Sequence, residues 1–274
     1  MNFDKEQYFK EGYTVQPNLV SQEIIEELNA EIDRITRRNT LARHNKLALE
    51  MEPDQPPTGN LVRRIYAPCK HYPAFNKLSV SDQVLDRIEE LVGPDIILHY
   101  SKLNMKPPGI GTKIKWHQDF PFYPMTNTKT LALLIYLEDA TTENGCLQVV
   151  PQNEKQEILD HAQDGYFAGA VAEDMEFEDA VPLEGTAGTG IFMNGLTLHA
   201  SAKNLSGKGR RTLIIGYRAA SAIPLYYGEM TNMMERESKL VRGIPNPVAE
   251  VTIDRAVIPV YKENISSIYD LQKN

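Results

Sequence analysis

The sequence predicts a single α+β domain in which helices pack outside a sandwich or barrel of strands. Amphipathic helical patterns occupy the first 94 residues, whereas strand-like runs dominate from residue 95 onward. No internal repeat, low-complexity segment or linker divides the 274 residues, which are enough for one large domain with an ample core. We therefore expect one domain spanning residues 1–274.

Two helices are predicted in the N-terminal part, about residues 1–94. In SQEIIEELNAEIDRITRR, isoleucines and leucines recur at helical spacing, and Ser21 is placed to cap the first turn. SDQVLDRIEELVGP shows the same spacing, and Gly93 and Pro94 are stop signals. MEPDQPPTGN, between them, has the composition of a loop.

The predicted core, about residues 95–260, is rich in strand-forming residues. Turn signals such as Asn144-Gly145 and Ser206-Gly207 separate five runs: IILHYSKLNMK, TLALLIYLED, CLQVV, TGIFMNGLTLHAS and RRTLIIGYRAA. Residues 152–187 carry ten acidic residues and a single lysine. This composition predicts a solvated acidic insertion, with a segment that screens a site as the alternative.

Composition narrows the possible partners. A net charge of −8 argues against nonspecific nucleic-acid binding, and no run approaches the ~18 apolar residues of a membrane helix. Two cysteines, Cys69 and Cys146, are too few for a disulfide framework, which favours a reducing cytoplasm. We expect a small-molecule substrate and a monomer or homodimer. The C-terminal GIPNPVAEVTIDRAVIPVYKEN can close the barrel or form a dimer contact.

The stretch KWHQDFPFYP, residues 115–124, raises the question of a metal site. On a strand, His117 and Asp119 share one face, where a histidine nitrogen and a carboxylate oxygen can bind one divalent ion. The pattern alone is weak, because such pairs often form a plain hydrogen bond. The four surrounding aromatic residues can wall a pocket or belong to the core: Trp116, Phe120, Phe122 and Tyr123.

His199 strengthens the metal interpretation. It lies near the end of another predicted strand, and two histidines with one carboxylate form the facial triad of non-haem iron(II) oxygenases. That triad leaves coordination positions open for cosubstrate and dioxygen. The other histidines have no comparable partner: His44 and His161 are expected to be solvated, His71 and His99 to be structural.

Arg210 follows His199 by eleven residues, so the intervening loop can bring the two close. A guanidinium binds a carboxylate in bidentate fashion, which suits a dicarboxylate cosubstrate held by its far end. Arg211 points the other way if the segment is a strand, and is read as a surface charge.

Together these residues resemble the phytanoyl-CoA hydroxylase (phytanoyl-CoA dioxygenase) family of iron(II)/2-oxoglutarate-dependent dioxygenases. The resemblance rests on the HQD motif at 117–119, NGCLQVVP, HASAKN and Arg210, supported by YFKEGYTVQPNLVSQEII and LNMKPP. Each motif alone is weak evidence for the family, but the order and spacing of the motifs are specific. The resemblance implies a double-stranded β-helix, a jelly-roll, cupin-like core flanked by N-terminal helices.

The resemblance also implies roles for individual residues. The iron(II) ligands would be His117, Asp119 and His199, with Arg210 and Ser201 on the distal carboxylate of 2-oxoglutarate. Further contacts are expected from Lys102 and Gln118 to the cosubstrate, and from Arg64, its neighbour Arg63 and Phe120 to the substrate. For the basic residues among these, the alternative is a surface charge.

The implied activity is hydroxylation of an unactivated C–H bond in a small polar or anionic metabolite, consuming O2 and 2-oxoglutarate and releasing succinate and CO2. Asp119 argues against halogenation, which needs a small residue there. Two alternatives remain: a cupin-like metal-binding protein or isomerase without oxygenase activity, and a noncatalytic family member. The residues decide neither the substrate nor hydroxylation against desaturation, cyclisation or epimerisation.

Overall fold

A computed structural model describes residues 3–110, 112–152, 157–171, 177–225, 238–246, 248–253, 256–260 and 268–272. In this part of the chain two antiparallel sheets stack face to face, and helices cover the outer face of the larger sheet. This arrangement confirms the predicted α+β class with a jelly-roll core.

The helices lie mainly in the N-terminal part. Both predicted helices are confirmed, and the Ser21 hydroxyl caps the first of them by accepting a hydrogen bond from Ile24 N at 3.5 Å. The described helices are α1 (Lys5–Glu11), α2 (Gln22–Thr36), α3 (Pro68–His71), α4 (Pro73–Ser79), α5 (Asp82–Val92) and α6 (Ile268–Leu271), with a 3₁₀ turn at Phe120–Phe122.

The larger sheet has eight strands. Its order is β1-β11-β6-β13-β4-β3-β2, and β14 also pairs with β4. The bounds are β1 (Tyr13–Gln16), β2 (Leu49–Met51), β3 (Val62–Tyr66), β4 (Ile96–Lys106), β6 (Thr130–Tyr136), β11 (Gly190–Asn194), β13 (Arg210–Ala219) and β14 (Lys239–Arg242).

The smaller sheet has four short strands in the order β10-β7-β12-β5. They are β5 (Ile114–His117), β7 (Leu147–Val150), β10 (Val181–Leu183) and β12 (Leu198–Ser201). A separate hairpin joins β8 (Ala162–Gln163) to β9 (Tyr166–Phe167).

The apolar side chains form two clusters. One lies between the helices and the outer face of the larger sheet, with Leu28, Ile88 and Leu213 at its centre. The other lies between the two sheets and includes Leu134 and Val149. Because alternate residues of a strand face opposite sides, each central strand of the larger sheet contributes to both clusters.

Two predicted segments contain strands that the sequence did not predict. The N-terminal part is not only helical, because β1, β2 and β3 join the larger sheet. The acidic segment 152–187 is not a mere insertion, since β10 is a strand of the smaller sheet; its residues 153–156 and 172–176 lie outside the described part. Among the described residues, no helix is long and apolar enough to span a membrane.

Candidate metal centre

His117 and His199 face each other across two adjacent strands of the smaller sheet. They are directly paired in the β5–β12 register, and their ring centroids lie 4.1 Å apart. Both side chains are buried. The pairing brings together two imidazoles that are 82 positions apart in the sequence numbering.

Asp119 supplies the carboxylate. Its Oδ1 lies 4.0 Å from Nε2 of His117 and 4.0 Å from Nε2 of His199. One ligand atom from each residue can be chosen so that all three lie within 4.8 Å of one another. The sequence pattern predicted that Asp119 lies on the strand. Instead, its backbone is helical (φ −72°, ψ −34°) and starts the 3₁₀ turn after β5.

Both imidazoles are oriented by a main-chain carbonyl two residues earlier. Nδ1 of His117 lies 2.8 Å from Lys115 O, and Nδ1 of His199 lies 2.9 Å from Thr197 O. Since a carbonyl only accepts, each Nδ1 carries the proton and each Nε2 presents its lone pair to the shared space. Burial lowers the pKa of both histidines, which favours the neutral, ligating form. The residues therefore fit a divalent metal ion.

Two tyrosines orient the carboxylate. The hydroxyls of Tyr100 and Tyr123 lie 2.6 Å apart and within hydrogen-bonding reach of Asp119. Burial raises the pKa of both phenols, and the negative charge of Asp119 raises it further. Both phenols therefore remain protonated. Since one hydroxyl donates to the other, the second has the proton that can be donated to Asp119.

A third histidine supports the backbone between the ligands. Nδ1 of His161 donates to Leu159 O at 2.8 Å, so its Nε2 is free to accept from Gln118 N at 3.0 Å. The Gln118 side chain donates to Glu157 O and Leu196 O, and accepts from Leu159 N. These bonds connect the segment at 157–161 to both ligand-bearing strands.

The larger sheet provides a cationic wall opposite the three candidate ligands. Arg210 and Lys102 line the same cavity of about 50 Å³ as the three ligands, together with Ser201. Among the described residues, no hydrogen-bond partner reaches Arg210 Nε or Thr212 Oγ1, although both atoms are buried and both residues line the cavity. Unpartnered buried donors of this kind suit a carboxylate ligand.

Arg64 completes the wall. It is buried on β3, it lines the cavity, and its Nε donates to Asn104 Oδ1 at 2.9 Å. Arg63 is held elsewhere, because its Nη2 lies 2.5 Å from Glu50 Oε1. Of the two neighbouring arginines, the structure thus brings Arg64 to the cavity.

Comparison with known proteins identifies the family. The sequence profile of phytanoyl-CoA dioxygenase (PhyH) matches residues 8–212. A probable alpha-ketoglutarate-dependent hypophosphite dioxygenase of Stutzerimonas stutzeri is 32% identical over 239 residues, 83% of each chain. The chain belongs to the phytanoyl-CoA dioxygenase family. It is a non-haem iron(II)/2-oxoglutarate-dependent dioxygenase.

Other relatives are similar over most of their length. An ectoine dioxygenase of Bordetella parapertussis is 26% identical over 231 residues, 77% of this chain and 73% of the relative. A crystal structure of EctD from S. alaskensis with 2-oxoglutarate and 5-hydroxyectoine superposes with a TM-score of 0.66 at 22% identity, covering 79% of this dioxygenase and 75% of EctD. The superposition agrees with the jelly-roll fold.

Three expectations for this dioxygenase need correction. Gln118 is absent from the cavity wall, because its amide is bonded to main-chain groups. Phe120 is packed in the core, where its N–H donates to Gly195 O, and it does not line the cavity. His161 is fully buried rather than solvated. In each case a contact with a distant segment, which local sequence does not encode, decides the side-chain environment.

One further residue lies where the sequence pattern placed it, and strand alternation could have identified three that were missed. Arg211 points away from the cavity and pairs with Asp33 at 2.7 Å. Tyr100, Asn104 and Thr212 were missed, although alternation from Lys102 and Arg210 places them on the same strand faces. No local signal marked His161 or the residues of α6.

Proposed function

We propose that this dioxygenase hydroxylates a small polar or anionic metabolite, with His117, Asp119 and His199 as the iron ligands. The observation that carries the proposal is the convergence of these three side chains with the unpartnered Arg210 Nε in one buried cavity. A cupin-like metalloprotein without oxygenase activity would have no use for such an arginine.

Bound iron(II), with 2-oxoglutarate and O2, supplies the oxidation of a C–H bond coupled to release of succinate and CO2. The chain's own residues position the reactants. Arg210 holds the far carboxylate of the cosubstrate, helped by the hydroxyls of Ser201 and Thr212, which line the same cavity. Lys102 adds a positive charge on the same wall, and the buried cavity excludes bulk water.

The substrate class is supported by charge. Arg64 and Lys102 line the cavity in addition to Arg210, whereas Asp119 is the carboxylate among the described lining residues. Such a cationic wall favours a polar or anionic substrate. The names of two relatives support the same class, because they refer to hypophosphite and to ectoine, which are small polar compounds. The chain has two cysteines, Cys69 and Cys146, too few for a disulfide framework, which favours a reducing compartment, for which we propose the cytoplasm.

Anaerobic titration of the apoprotein with iron(II) and then 2-oxoglutarate tests the proposal. We expect a weak visible charge-transfer band that requires both components and disappears in His199→Ala. The matched control is His71→Ala, which removes an exposed histidine and should leave the band unchanged. A band that survives in His199→Ala would exclude His199 as a ligand.

A further inference from the structure

The last described turn of the chain, α6, forms part of the cavity wall. Ile268, Tyr269 and Leu271 are buried, and they belong to the apolar cluster between the sheets. Ile268 lines the same cavity as the metal-ligand residues. A residue near the C-terminal end of the sequence therefore borders the site where the substrate must lie.

α6 is attached to the strand that carries the first metal ligand. Gln272 Oε1 accepts from Lys115 N at 2.9 Å, and Gln272 Nε2 donates to Gly169 O at 2.6 Å. A Cβ added at Gly169 would lie 2.8 Å from Leu271 Cδ1, so the contact is close. The position of α6 is thereby coupled to β5, two residues before His117.

Tyr269 connects α6 to the cationic wall. The guanidinium of Arg63 lies 4.2 Å from the ring centroid of Tyr269, and that of Arg64 lies 4.7 Å from it. Both arginines pair with Glu50, Arg63 at 2.5 Å and Arg64 at 3.8 Å, but Arg64 also lines the cavity beside Asn104. The cation–π contact therefore holds Arg64 against the cavity wall.

The cavity is small for two organic ligands. Its volume of about 50 Å³ holds only a few water molecules, so the space left beside 2-oxoglutarate depends on the side chains that line the cavity, Ile268 among them. The charge of the wall adds a second restriction. A dianionic cosubstrate balances a divalent metal. The three cations of the wall, Arg64, Lys102 and Arg210, outnumber the two carboxylates near them, Asp119 in the cavity and Glu50 beside Arg64.

We propose that α6 sets the size and charge of the substrate, Ile268 by bounding the chamber and Tyr269 by aligning Arg64, so that the enzyme selects a small oxyanion. This inference rests on the proposed function, because it takes the metal and cosubstrate sites as given. It assigns a specificity role to Ile268 and Tyr269, which are not among the three candidate metal ligands.

The single tryptophan, Trp116, allows a binding test without turnover. It follows Lys115, the residue to which Gln272 is bonded, so its fluorescence should report changes at α6. The protein is loaded with Mn(II) and 2-oxoglutarate under anaerobic conditions and titrated with hypophosphite or ectoine. We expect the wild type to bind hypophosphite at least about tenfold more tightly than ectoine.

Ile268→Ala should reduce this preference by about tenfold, because the larger chamber admits ectoine. Tyr269→Leu should weaken hypophosphite binding, whereas Tyr269→Phe, which keeps the ring, should retain it. Leu240→Ala is the matched control, since Leu240 is a partly exposed aliphatic residue on β14 that does not line the cavity.

Equal binding of both probes by the wild type, or an unchanged preference in Ile268→Ala, would overturn the inference. Mn(II) and 2-oxoglutarate affinities, measured separately in each variant, distinguish this outcome from failure of the proposed function. A wild type that binds neither metal nor cosubstrate overturns the proposed function and, with it, this inference.

Discussion

The metal-ligand side and the cationic side of the cavity are built in different ways. On the smaller sheet, two short strands place His117 and His199 opposite each other, and each ring is fixed by the carbonyl two residues before it. On the larger sheet, Arg64, Lys102 and Arg210 come from three different strands. On the metal side, local bonds orient each ring and the register of one strand pair brings the two rings together. The cationic side depends on the register of three strands.

The register of the larger sheet is what assembles the cations. Arg64 pairs with Asn104 across β3 and β4, and Thr212 pairs with Asn104 across β4 and β13. A shift by one residue would turn every one of these side chains to the opposite face. We infer that the metal side tolerates changes in the rest of the fold better than the cationic side does.

Removing the carboxylate should produce the largest effect. Asp119→Ala leaves two imidazoles and should abolish detectable iron(II) binding and succinate formation, because two neutral ligands bind iron(II) far more weakly than the triad. Anaerobic equilibrium dialysis measures the iron bound. The midpoint of urea unfolding of the apoprotein should change little, since the site is oriented by local bonds. A bound iron stoichiometry equal to that of the wild type would exclude Asp119 as a ligand.

Replacing Arg210 should weaken cosubstrate binding without changing metal binding, which distinguishes the two sides of the cavity. Arg210→Met should raise the dissociation constant of 2-oxoglutarate by about 10- to 100-fold, the loss expected for a hydrogen bond to a charged group, while iron(II) affinity stays near that of the wild type. The matched control is Arg211→Met, which removes a neighbouring arginine that pairs with Asp33 outside the cavity. If both variants weaken 2-oxoglutarate binding equally, the effect reflects the loss of net positive charge rather than of a direct contact with Arg210.

The same contrast explains how far the sequence could predict the site. The HQD motif and one later histidine were enough to predict which three side chains come together, because their residue types and spacing are typical of a metal site. Enrichment in strand-forming residues also predicted β4, down to its bounds Ile96–Lys106. Gln118 and Phe120 do not lie on the cavity wall, where the sequence pattern had placed them, because each is held by a segment distant in sequence. The contribution of α6 required the tertiary structure.

The His161 contact should have an intermediate effect on the metal side alone. His161→Phe keeps an aromatic ring but leaves the Gln118 N–H without its acceptor, so iron(II) affinity should fall by about tenfold, as for other residues that orient ligands. His161→Gln restores an acceptor and should recover part of the loss. Unchanged iron affinity in His161→Phe would show that the backbone between the ligands is held without this bond.

The smallest expected effect is a loss of stability of the apoprotein at acid pH. Burial lowers the pKa of His117, His161 and His199 below the usual 6.5. As the pH falls below about 6.5, the unfolded chain therefore takes up protons that the folded apoprotein does not, and the free energy of unfolding decreases by up to about 1.4 kcal/mol per pH unit for each histidine. Above about pH 6.5 this contribution is constant.

Urea unfolding of the apoprotein in chelator, between about pH 7.5 and 5, measures this slope. His161→Gln should reduce the slope, because one buried histidine is removed, while Arg210→Met should give a parallel curve, since arginine stays charged throughout this range. The acid sensitivity then belongs to the histidines on the metal side of the cavity. An equal change of slope in Arg210→Met would show that the two sides of the cavity are coupled in the unliganded fold.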